Sequence, residues 1–122
     1  MVALAAAGGG AVRPARAQEP EVVTVVMVEY AFRPSQLRFR LGARYRLHLA
    51  NQGAELHEFT APAFLAAVDV ANPDVLVETR NEVVLQPKEE KDVFLVPRRA
   101  GRFPLICADH DTSGMVGEIV VE

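Results

Sequence analysis

Two runs of strict alternation limit what this chain can fold into. Leu37, Phe39 and Leu41 alternate with Gln36, Arg38 and Arg40, and Tyr45, Leu47 and Leu49 alternate with Arg44, Arg46 and His48. Successive side chains on an extended strand point to opposite faces, so each run has an apolar face to bury and a polar face to leave in water. Gly42 lies between the runs as a turn. Other extended stretches follow the same logic. Val22 to Tyr30 is rich in β-branched residues and stops before Pro34 and Ser35. Leu56–Thr60, Glu82–Leu85, Asp92–Val96, Arg102–Cys107 and Met115–Val121 are short and bounded by turn residues such as Asn51-Gln52-Gly53 and Gly101. About eight short strands at this spacing predict an all-β sandwich. One short helix is expected within Ala63–Ala71, with Phe64, Leu65 and Val68 on one face and Asn72-Pro73-Asp74 ending it.

The 122 residues fit one domain that can bury a core without disulfide staples. A single cysteine leaves no internal disulfide and no metal site built from several cysteines. No apolar run approaches the roughly 20 residues a spanning helix needs. The net charge of −3 is mild and no basic tract points to nucleic acid. The arginines at 38, 40, 44, 46, 98, 99 and 102 are expected on outward strand and turn faces.

Residues 1–17 read as a signal peptide or its remnant, and 18–122 as the domain. MVALAAAGGGAV is small and apolar, and Ala15-Arg16-Ala17 is a small-x-small cleavage pattern before Gln18. Removing Arg13 and Arg16 with that segment takes the 13 basic residues to 11 against 16 acidic ones, a net charge of −5. The expected location is the periplasm or another exported compartment. An exported protein with one unpaired thiol needs a use for it, and metal ligation is one.

The segment Cys107-Ala-Asp-His110-Asp-Thr-Ser-Gly-Met115 presents a thiol, an imidazole and a thioether within nine residues between two expected strands. A short loop can turn all three toward one ion. Soft sulfur and imidazole donors select copper over magnesium, calcium or manganese. Two imidazoles and a thiolate with a weak axial thioether form a mononuclear type-1 copper site, so one more histidine is required. His48 shares a strand face with Arg44 and Arg46 and is sent to solvent by the alternation. His57, in Glu55-Leu56-His57-Glu58-Phe59 beside the Asn51-Gln52-Gly53 turn, is the candidate. The candidate metal ligands are therefore His57, Cys107, His110 and Met115, holding one copper ion. Taken singly, Cys107 and Met115 also suit a core and His57 a turn; the acidic cluster Glu55, Glu58, Asp109 and Asp111 reads as solvated surface.

Asn51-x-Gly53-x-x-x-His57-x-Phe59, followed by Cys107-x-x-His110-x-x-x-x-Met115-x-Gly117, resembles the cupredoxin family, especially its plastocyanin-like bacterial members. Phe32-x-Pro34-x-x-Leu37-x-Phe39-x-x-Gly42 and Gly101-x-Phe103-x-x-x-Cys107 match the family's strand and turn pattern, and the likeness runs from about Val23 to Val121. The resemblance implies a Greek-key β-sandwich with copper at one end. It also implies one-electron transfer with a redox protein partner, such as a cytochrome or a copper enzyme. The edge of His110 would be the electron port, with Ala108 and Gly114 in the docking patch. Two positions depart from the pattern. Glu58 stands where relatives often carry an asparagine that ties the ligand loops together, and a carboxylate near the thiolate is expected to lower the potential. Asp109 stands near where many relatives have proline, so a softer loop is expected.

The alternative function is periplasmic copper binding for carriage or resistance, with the same ligands. An enzyme would need an open coordination position or a second copper cluster. With three histidines and one of them facing solvent, no enzymatic activity is expected.

Overall fold

The computed structural model describes residues 19–122; the expected leader, 1–17, lies outside them. Among the described residues are ten strands, two more than the sequence suggests. They are β1 (Glu21–Val28), β2 (Ala31–Arg33), β3 (Gln36–Phe39), β4 (Tyr45–Asn51), β5 (His57–Thr60), β6 (Val68–Val70), β7 (Glu82–Leu85), β8 (Glu90–Pro97), β9 (Gly101–Ile106) and β10 (Val116–Val121). One helix, α1, spans Pro62–Ala66.

The strands form two five-stranded sheets, ordered β2-β1-β4-β8-β6 and β3-β10-β9-β5-β7. From β2 to β9 each successive strand joins the opposite sheet, which gives the Greek-key sandwich. Two pairings are parallel, β1 with β4 and β3 with β10. The alternating residues fill the space between the sheets: Leu47 and Leu49 from one, Leu37 and Phe39 from the other, with Val25, Met27, Phe59, Leu85, Val93, Leu105 and Ile119. Phe39 packs edge-on against Tyr45 with ring centroids 4.8 Å apart. The Tyr45 hydroxyl accepts the Arg40 N–H at 2.7 Å, so the polar tip of this buried ring is satisfied.

Three local expectations change. Leu41, third in its apolar row, is exposed because β3 stops at Phe39 and the chain turns at Gly42. The helix ends at Ala66 instead of reaching Ala71, because Val68–Val70 is taken up as a strand on the edge of β8. Pro73–Val75 then forms a separate 3-10 turn. The arginines expected on outward faces do lie there, and several are paired, including Arg38 with Glu122, Arg40 with Glu21 and Arg102 with Glu118.

Candidate metal centre

The site stands at one end of the sandwich, where two adjacent strands present their ends. β9 and β5 are hydrogen-bonded neighbours through Ile106 and Thr60, so Cys107, just past β9, meets His57 at the start of β5. The Glu58 N–H points at the Cys107 sulfur at 3.3 Å. Beyond Cys107 the chain folds back through a 3-10 turn at Asp111–Ser113 into β10. The loop is closed by backbone bonds: Cys107 N–H to Met115 O, His110 N–H to Cys107 O, and Met115 N–H to His110 O. The Asp109 N–H is held by Glu58 Oε1 at 3.0 Å. Backbone bonding and Glu58 thus restrain a loop expected to be soft because Asp109 precedes His110.

His57 Nδ1 lies 3.9 Å and His110 Nδ1 3.4 Å from Cys107 Sγ. One donor atom from each of these residues falls within 4.8 Å of the others. His57, Cys107 and Met115 are fully buried, and the His110 side chain is 16% exposed. Burial first, and the Glu58 charge beside it, push the Cys107 thiol above its usual range, against the lowering effect of the Glu58 N–H. A metal ion binding there must displace that proton.

The far side of each ring is also engaged. His57 Nε2 is 2.8 Å from Glu29 Oε1, and His110 Nε2 is 3.0 Å from Glu55 Oε1. A carboxylate accepts, so Nε2 carries the proton of each neutral ring and the Nδ1 lone pair faces the sulfur. Tyr30 packs against His110 with the rings tilted and their centroids 4.8 Å apart, and its hydroxyl donates to Glu55 Oε2 at 3.1 Å. The Ala54 N–H first, then His57, hold the Glu29 carboxyl below the ordinary carboxylate range.

Several of these roles escape a reading of the sequence. Asn51 is read there as a turn signal, yet it is buried and organises the whole 51–55 turn. Its amide donates to Glu55 O and Leu85 O, and its oxygen accepts the Gly53 N–H. Glu58, expected on the solvated surface, is buried with Oε1 3.7 Å from Cys107 Sγ. Glu55 is paired with His110 rather than only hydrated. Glu29 and Tyr30, at the end of a β-branched run, carry no local signal of a site. His48 is kept out of the cluster, as the alternation requires. It is half-buried rather than open to solvent, because Asp92 and Glu90 flank its two nitrogens at 2.7 and 2.8 Å.

The family model described as a cupredoxin-like domain matches residues 1–121. The chain belongs to the cupredoxins. Among solved structures it is similar to auracyanin B, with a TM-score of 0.63 and 23% identity over 85% of this chain and 91% of that one. It is similar also to auracyanin A from Chloroflexus aurantiacus, a "blue" copper protein, with a TM-score of 0.61 and 18% identity over 85% of this chain and all of that one. A reduced auracyanin from Roseiflexus castenholzii matches at a TM-score of 0.62 and 15% identity, over 83% and 96% of the two chains. Identities this low speak for the fold alone. No curated protein sequence matches the chain.

The donor chemistry of this cupredoxin fits one copper ion. A buried thiol and two imidazole nitrogens converge, and a buried methionine, Met115, follows on the loop that carries Cys107 and His110. This set is soft and nitrogen-rich, unlike the oxygen cages of calcium or magnesium. No helix among the described residues is long and apolar enough to cross a membrane.

Proposed function

We propose that this cupredoxin is a one-electron carrier with a mononuclear type-1 copper site. His57, Cys107 and His110 are its strong ligands and Met115 its weak axial one. The observation that carries this reading is the convergence of both Nδ1 atoms on the buried Cys107 sulfur. Bound copper would supply a couple between Cu(I) and Cu(II). The chain's part is to hold the donors in one arrangement for both states. Cys107 is fixed by its N–H bond to Met115 O and by the Glu58 N–H at its sulfur. His57 is fixed by burial, and His110 by Tyr30 and Glu55.

Burial of three of the four ligands supports a carrier over copper delivery, which needs a route for the ion to leave. The absence of enzymatic activity belongs to the same reading: His48, the remaining histidine, is engaged by Asp92 and Glu90 on the outer face of β4. A redox protein would dock over the loop end, where Ala108 and Gly114 are exposed. Electrons would pass by way of His110, whose outer edge is partly covered by Tyr30 and Glu55.

The test is a visible spectrum and EPR after one equivalent of Cu(II). An intense thiolate-to-copper band with narrow hyperfine splitting, lost in Cys107→Ala, is the expected result. A pale spectrum with ordinary splitting would sink the carrier reading. Export completes it, with residues 1–17 as the leader. The intact mass of protein recovered from a periplasmic fraction is expected to begin at Gln18, and a retained Ala17 would refute that cleavage.

A further inference from the structure

We propose that Glu29 and Glu55 are positioning residues for the two copper-binding histidines, each holding the distal nitrogen of one ring so that Nδ1 faces Cys107, and that their charges favour the oxidised ion. The inference rests on the copper reading above. Both ring nitrogens of a histidine can bind a metal, and the group on the other nitrogen decides which one does. Here a carboxylate occupies Nε2 in both rings, at 2.8 and 3.0 Å.

The carboxylates are themselves anchored. Both Glu29 oxygens accept the Ala54 N–H, at 2.9 and 3.1 Å, and Oε1 also accepts the Glu55 N–H at 3.2 Å. Those donors belong to the turn that Asn51 organises. Glu55 is steadied by the Tyr30 hydroxyl on its second oxygen. Neighbouring residues of one segment, Glu29 and Tyr30, thereby serve both rings.

Gly53 gives an independent sign that this space is built for the Glu29 contact. A Cβ on Gly53 would overlap Glu29 Oε1 and fall 2.9 Å from His57 Nε2. Any side chain there would push the carboxylate off the ring. A second consequence is electrostatic. Negative charge beside a ligand favours the more positive state of the ion. Glu29, with 29% of its side chain exposed, is less screened than Glu55 at 48%, so its effect is the larger.

The experiment uses the full chain and the variants Glu29→Gln, Glu29→Ala, Glu55→Gln and Gly53→Ala. In the metal-free protein, at a pH above the imidazole range, long-range 15N–1H correlations report which nitrogen carries the proton. Wild type is expected to show Nε2–H for both rings. Glu29→Gln keeps an acceptor and keeps that tautomer at His57. Glu29→Ala and Gly53→Ala give a mixture. In the copper-loaded protein, competition titrations are expected to show Cu(II) affinity falling about ten-fold in Glu29→Gln and less in Glu55→Gln. Cu(I) affinity changes little. A ten-fold fall in that ratio appears as a rise of about 59 mV in the one-electron potential. An unchanged His57 tautomer in Glu29→Ala overturns the positioning role. An unchanged affinity ratio in both glutamine variants overturns the electrostatic one. Should wild type fail to form the type-1 site, the copper reading falls on that result, while the tautomers of the metal-free protein still decide the positioning role.

Discussion

His48 sits on the outer face of β4 with Asp92 on one ring nitrogen and Glu90 on the other; Arg46 also bonds Asp92. The bond to Asp92, and after it that to Glu90, raises His48 above its usual value, against an opposing effect of burial. A raised histidine stabilises the fold fully below its unfolded value of about 6.5 and loses that contribution as pH rises through its folded value. Burial alone would raise Asp92, but the bonds from His48 and Arg46 outweigh it and leave it lowered. Its contribution is present above the unfolded value of about 3.9 and is lost as pH falls through the folded one. The pair therefore adds most between about pH 4 and pH 6.5. We predict that His48→Asn loses about 0.5–1 kcal/mol in urea unfolding within that window and much less in mildly alkaline solution. An equal loss at both ends would show that the pairing has no electrostatic part. Strand parity is what keeps His48 out of the site: alternation with Leu47 and Leu49 turns it outward.

At the scale of the element, the ligand loop depends on one conformation that only glycine adopts freely. Gly114 closes the 3-10 turn with φ +91° and returns the chain to Met115. Nothing lies within 4 Å of where its Cβ would be, so a substitution there meets a backbone cost and no clash. Gly114→Ala is expected to destabilise the metal-free protein by about 1–2 kcal/mol. Gly114→Asn should cost less, since asparagine visits this region more readily. Denaturant unfolding of the three proteins would rank them, and equal costs for Ala and Asn would point to something other than backbone strain. The loop was legible because its donors are close in sequence and lie between two strands. The helix was less so. Ala63–Ala71 has helical composition, but Val68–Val70 is β-branched and finds the free edge of β8. The partners of Val68, Asp69 and Val70 are Pro97, Val96 and Leu95, far along the chain, and such a pairing leaves no trace in local periodicity.

Across the whole molecule, the parallel pairing of β1 with β4 does the most to complete the site. It sets Met27 opposite Asn51, and the Gln52 N–H bonds Met27 O at 2.9 Å. The end of β1 is thereby laid against the 51–55 turn, and Glu29 and Tyr30 come within reach of rings that belong to β5 and the 107–115 loop. The adjacency of β5 and β9 does the same for Glu58 and Cys107. Both contacts join residues far apart in sequence, and both depend on the order of strands in a sheet.

The sequence by itself determined what local rules control. Alternation chose the buried faces of β3 and β4, turn residues marked most strand ends, and the spacing Cys107, His110, Met115 named the loop and, with His57, the metal. Only the tertiary structure decided the surroundings of that metal. Glu29, Glu55 and Glu58 are charged residues at strand ends and turns, where solvent is the default. Their placement against His57, His110 and Cys107 follows from non-local strand pairing, which has no period for a sequence to display.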